Sequence, residues 1–124
     1  MSIQKNIDKE IQAVSDIAFE YMSNAGMDWS KVETLCSLRE GGTESFLAVV
    51  HGADGEVRRI DQNIGEITMP FIRINDLKRA NPNQVKWNGL RIFTTKDKMT
   101  QTEFITDPDF EEDVIDQLWE EVDI

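Results

Sequence analysis

The hydrophobic period of this chain changes near residue 30, and that change restricts the fold more than any other feature. Over residues 3–25, Ile3, Ile7, Ile11, Val14, Ala18, Tyr21, Met22 and Ala25 recur at steps of three and four, which places them on one face of an α-helix. Lys5, Asp8, Lys9, Glu10, Asp16 and Glu20 fall mostly between them, and Gly26 is placed to end the helix. From Val32 the period becomes two. Val32, Thr34, Cys36 and Leu38 alternate with Glu33, Ser37 and Arg39, and only Leu35 interrupts the polar side. A helix with one apolar face, followed by a strand with one apolar face, buries both by packing helix on sheet.

The remaining segments extend this pattern. Glu40-Gly41-Gly42-Thr43 reads as a turn, and residues 45–51 as a strand apolar enough to be central. Ala53-Asp54-Gly55-Glu56 is a second turn signal, and residues 56–61 make a third strand, which completes an antiparallel meander. Pro70 is expected to bar a helix before it, so residues 74–80 are read as a short helix, capped by Asn75 or stopped by Asn81-Pro82. Residues 86–93 and 100–106 form a hairpin around a turn at 95–98, with Thr102, Phe104 and Thr106 on one face and Ile105 on the other.

The last helix has Asp107 as N-cap and Pro108 at its first position. Its apolar stripe is Phe110, Val114, Ile115, Leu118, Trp119 and Val122. The expectation is one α+β domain over residues 1–124: an antiparallel sheet, built of a meander plus a C-terminal hairpin, packed by N- and C-terminal helices.

Charge is distributed unevenly. The net charge is −11, from 24 acidic and 13 basic residues. Ten of the acidic residues lie within 103–124, a stretch without lysine or arginine. Solubility alone gives no reason for such concentration. Carboxylates at helical i,i+4 spacing repel one another, as at Asp109 with Asp113, Glu112 with Asp116 and Asp116 with Glu120. Glu120, Glu121 and Asp123 also stand at the end of the helix where negative charge is unfavourable. A locally unfavourable face is a candidate site. Asp109, Glu111, Glu112, Asp113, Asp116 and Glu120 are therefore the expected partner-binding residues, presented to a strongly basic protein.

Other chemistry is weakly represented. His51 is the only histidine and Cys36 the only cysteine, too few for a tetrahedral zinc site. Cys36 lies on the apolar side of a strand and is expected to be a buried, inert thiol. There is no P-loop, G-x-G-x-x-G, H-E-x-x-H or EF-hand pattern. No catalytic, cofactor-binding or metal-binding residue is expected, and the chain is not expected to be an enzyme. The net charge disfavours nucleic acid and anionic membranes as partners. Arg58, Arg59, Arg73, Lys78 and Arg79 could make one basic patch or could pair with the protein's own carboxylates. The first residues lack a signal-peptide core, and no apolar run approaches the ~18 residues of a membrane span. A cytoplasmic protein, monomeric rather than dimeric, is expected.

Two stretches carry a resemblance. Asp28-Trp29-Ser30-Lys31-Val32 leads from the first helix into the first strand, and Trp87-Asn88-Gly89-Leu90-Arg91-Ile92-Phe93 opens a hairpin that runs through Phe104 to Asp107 and the acidic segment. In this the chain resembles the YezG-like family of bacterial antitoxin and immunity proteins. The resemblance implies a small cytoplasmic α+β protein that neutralises the toxin domain, often a nuclease, of a cognate polypeptide. A nuclease is basic where it holds phosphate, so an acidic inhibitor surface is consistent with that role. The alternative is an acidic cytoplasmic chaperone for a secreted effector. A stable homodimer would favour the chaperone, a monomer the immunity protein.

Overall fold

The computed structural model describes residues 2–38, 45–60 and 67–118. The helix α1 (Ile3–Asn24) is followed by strands β1 (Trp29–Ser37), β2 (Ser45–Gly52) and β3 (Val57–Ile60). Helix α2 (Thr68–Ala80), strands β4 (Gly89–Thr95) and β5 (Thr100–Ile105), and a π-helical turn at Glu111–Asp116 complete the order. The strands form one antiparallel sheet in the order β3-β2-β1-β4-β5. The meander and the hairpin are thus joined through β1 and β4, with Cys36 opposite Leu90 and Thr34 opposite Ile92. This is the α+β arrangement that the periodicity predicts.

Helix α1 starts where Ser2 accepts a hydrogen bond from the Lys5 amide at 3.2 Å. It stops before Gly26, whose φ of 72° is a left-handed conformation that favours glycine. Its apolar stripe, with Ile7, Ile11 and Val14, packs together with Phe71 and Ile74 of α2 against Cys36, Leu90 and Ile92. Packing on the sheet, rather than on a partner helix, is thus the use of this face. A buried hydroxyl cluster also ties α1 to the hairpin: Ser15 Oγ lies 2.8 Å from Thr94 Oγ1 and 2.7 Å from Thr100 Oγ1.

Helix α2 corrects the expectation for residues 74–80. It begins at Thr68, with Pro70 in its first turn, where the missing N–H is one that has no intrahelical partner anyway. Asn75 is not a cap but is fully buried inside the helix. Asn81 does end it, its side-chain amide donating to the Leu77 carbonyl at 2.9 Å. The Lys78 ammonium then donates to the carbonyls of Val85 and Trp87, fastening the following segment to α2. Strand β4 starts at Gly89, later than the expected 86, and Trp87 lies outside it against the Phe104 ring.

Each face of the sheet carries a buried apolar cluster. Leu35 is not an interruption of a polar side: with Leu47 and Val49 it packs under Phe110 and Ile115, opposite α1 and α2. The expected turn at residues 40–43 lies outside the described residues.

Candidate functional site

The acidic segment is anchored on this second sheet face by two devices at the start of β4. The Asn88 side chain clamps the backbone of Asp107, its amide nitrogen donating to the Asp107 carbonyl at 2.7 Å and its oxygen accepting from the Asp107 amide at 2.9 Å. The Asp107 carboxylate in turn accepts from the Asp109 amide at 3.0 Å, closing a turn over Pro108 and Asp109, and the helical winding starts only at Phe110, so Asp107 is not the N-cap and Pro108 not the first helical residue that the sequence led us to expect. One residue after Asn88, Gly89 leaves room for the Phe110 ring, which occupies the space of a Cβ.

The π-helical winding at Glu111–Asp116 follows from which residues must reach the sheet. Phe110 and Ile115, five positions apart, are both fully buried. In an α-helix a five-residue step points two side chains far apart around the axis. The wider i→i+5 winding of a π-turn brings them closer to one face. Val114 and Leu118 pack partly against the same cluster. The carboxylates of Asp109, Asp113 and Asp116 are left exposed on the outside, and Glu111 is half-buried. The structure therefore brings Asp109, Glu111, Asp113 and Asp116 onto one short helical segment. Glu112 belongs to that segment, but its side chain lies outside the described residues, as do Glu120, Trp119 and Val122 entirely.

Beside this segment lies an open groove of about 310 Å³. Val57 of β3, Phe93 of β4 and Leu118 line it together with Glu33, His51, Arg91 and Asp113. Glu33 of β1 is its electrostatic centre. Its carboxylate lies 3.3 Å from His51 Nε2 and 2.8 Å from Arg91 Nε, and only 12% of the side chain is exposed. The Arg91 contact is coulombic, since Nε has no hydrogen-bond geometry to an acceptor. Nearby, Lys31 places its ammonium 5.2 Å from the centre of the Phe93 ring. Sequence reading missed this groove. The available signal was the charged residues Glu33 and Arg91 on strands whose second face also carries Leu35.

Three of the arginines that could have made a basic patch are paired with carboxylates of the chain. Arg58 contacts Glu56 at 2.6 Å, Arg73 reaches Glu10 at 3.3 Å and Arg79 reaches Asp76 at 3.8 Å. The hydrogen bond that Arg58 donates to the Glu56 carboxylate, and the negative charge of that carboxylate, push the Arg58 pKa further up. Pairing with the protein's own carboxylates is thus the outcome for these three. Cys36 is buried, as expected. Among the described residues, no cluster of His, Cys, Asp and Glu is placed to hold a metal ion. Among them too, no helix is long and apolar enough to cross a membrane.

No family model matches the chain. A tyrosine–tRNA ligase of Dinoroseobacter shibae is 27% identical over 105 residues, which is 83% of this chain and 24% of that protein. The chain therefore spans about a quarter of the length of the curated relative it matches.

Proposed function

We propose that this protein is a cytoplasmic immunity protein that binds a basic toxin domain, of nuclease type, and covers its active site or substrate groove. The observation that carries the reading is the exposure of Asp109, Asp113 and Asp116 on a segment without lysine or arginine, pinned to the sheet by Phe110 and Ile115. Negative charge held on a rigid support steers a basic partner to one orientation. The carboxylate row also imitates the phosphates that a nuclease groove is built to hold. The likeness to a tyrosine–tRNA ligase supports no activity for this chain, because the matched stretch is a small part of that enzyme.

The experiment is co-expression with the C-terminal domain of the polypeptide encoded immediately upstream, scoring growth and co-purification. Growth rescue together with a stable complex is the expected result. A toxic neighbour that is neither bound nor neutralised would sink the reading and return weight to the effector-chaperone alternative. Replacing Asp109, Asp113 and Asp116 by lysine should slow association and abolish rescue. Unchanged protection would mean that the acidic segment is not the site.

A further inference from the structure

We infer that β5 is a docking edge, and that the partner adds to it an extended strand whose side chains alternate between basic and apolar. This rests on the immunity reading and specifies how the partner is held. Strand β5 stands at one border of the sheet and, among the described residues, pairs only with β4. The Met99 and Ile105 carbonyls accept from the amides of Thr95 and Asn88, on the β4 side. Alternation along an antiparallel pair then turns the amides and carbonyls of Thr100, Thr102 and Phe104 to the open side. The register is continuous over Thr100–Ile105, which holds neither proline nor a bulge. The devices that usually close an edge are thus lacking, apart from the charge of Glu103. A strand laid there gains main-chain hydrogen bonds along its length.

The two faces of the edge select the chemistry of that strand. Glu103 is in register with Arg91 and, through it, with Leu35, so it lies on the face that carries the acidic segment. It is exposed and has no ionic partner among the described residues, since its cross-strand neighbour Arg91 lies 2.8 Å from Glu33 instead. Asp107 and Asp109 continue the negative charge past the end of the strand. On the other face Phe104, 40% exposed, packs against Trp87 with ring centres 5.0 Å apart. An added strand therefore meets a carboxylate on one face and an aromatic pair on the other, which alternating lysine or arginine and apolar residues satisfy. A second copy is the poorer occupant, because it brings a net charge of −11 to a chain of the same charge.

The test uses the full chain and synthetic strands, so it does not depend on whether any toxin is neutralised. The ¹⁵N-labelled protein is titrated with a capped peptide of alternating lysine and valine. Matched peptides of alternating glutamate and valine, and of alternating lysine and proline, are titrated separately. The lysine–valine peptide should bind saturably and slow hydrogen exchange at the amides of Thr100, Thr102 and Phe104 by the factor that mass action sets, about tenfold at nine-tenths occupancy. The other two peptides should leave these amides unprotected. Glu103→Gln should weaken binding about two- to fivefold, as for an exposed ion pair. Thr102→Pro removes an amide that the β4–β5 ladder does not use, so the chain should fold and lose the binding. If Thr102→Pro loses its dispersed spectrum, Glu103→Gln and the two control peptides decide. Absence of edge protection, shifts confined to the amides around Asp109 and Asp116, or equal protection by the glutamate peptide would overturn the inference. So would protection of the same amides without peptide in a sedimenting dimer, because the edge would then belong to a second copy. Peptide capture without growth rescue would count against the immunity reading alone, and rescue by a folded Thr102→Pro chain against this inference alone.

Discussion

Gly89 and Phe110 are in such close contact that a Cβ on Gly89 would lie 2.5 Å from Cδ2 of the Phe110 ring. Phe110 is the first buried side chain of the acidic segment, so this contact sets how closely the segment approaches β4. Gly89→Ala should therefore force the ring to move. Overpacking of this kind costs about 1–3 kcal/mol. A lower midpoint in urea unfolding is expected, with changed chemical shifts along residues 107–118. A variant as stable as the parent would mean that the ring relocates freely and that the segment is not anchored here.

Asn88 makes the second anchor. Because its side chain satisfies both the amide and the carbonyl of Asp107, it replaces backbone pairing at the point where β5 ends and the helical segment begins. Asn88→Ala should cost about 1–2 kcal/mol. Asn88→Asp keeps the acceptor but loses the donor, so it should fall between the two. Amide hydrogen exchange is the discriminating measurement: the Asp107 amide should lose protection in Asn88→Ala and keep more of it in Asn88→Asp, while α1 retains protection in both. Equal loss across the whole chain would instead indicate global destabilisation without a local anchor.

Much of the order of elements was legible from local period, as in the three-and-four steps of α1 and the alternation in β1, whereas the last helical segment starts at Phe110 rather than after an Asp107 cap. What required the structure was whatever depends on distant residues meeting. Pro70 reads as a breaker in isolation, but in a first turn its missing N–H is harmless, so α2 is longer than its sequence suggests. Leu35 reads as a flaw in a polar face until Phe110 and Ile115 are placed over it. Glu33, His51 and Arg91 meet only through the β1–β2 and β1–β4 registers, which set Glu33 opposite Val49 and Phe93. No local period encodes that register. The acidity of the C-terminal segment was plain from counting, whereas its π-winding depends on the need to bury both Phe110 and Ile115.

The hydroxyl cluster of Ser15, Thr94 and Thr100 permits a separate test of how α1 is held on the sheet. Ser15 and Thr94 are both buried, so removing one partner leaves the other short of a hydrogen bond. Ser15→Ala should cost about 1–3 kcal/mol. Thr94→Val in the Ser15→Ala background should cost less than Thr94→Val alone, because a pair of apolar groups leaves fewer buried hydroxyls unsatisfied. A double-mutant cycle from denaturant titrations measures this coupling. Strict additivity would mean that the two hydroxyls act independently despite their 2.8 Å separation.

Carboxylates retained for binding and carboxylates retained for solubility differ in what their removal does. Asp113 and Asp116 are exposed, and Asp113 follows Asp109 at a spacing where like charges repel. Replacing both with asparagine relieves repulsion without touching Phe110 or Ile115. Stability should stay level or rise by a few tenths of a kcal/mol. Affinity for the basic partner should fall, with most of the loss in the association rate, and the remaining affinity should depend less on salt. The measurement is a pair of association-rate series against ionic strength, parent and variant, read beside thermal unfolding of both. If the variant associates as fast as the parent at low salt, these charges do not steer the partner. If instead its unfolding midpoint drops by several degrees, they hold the segment in place, and the case for a docking surface loses its main support.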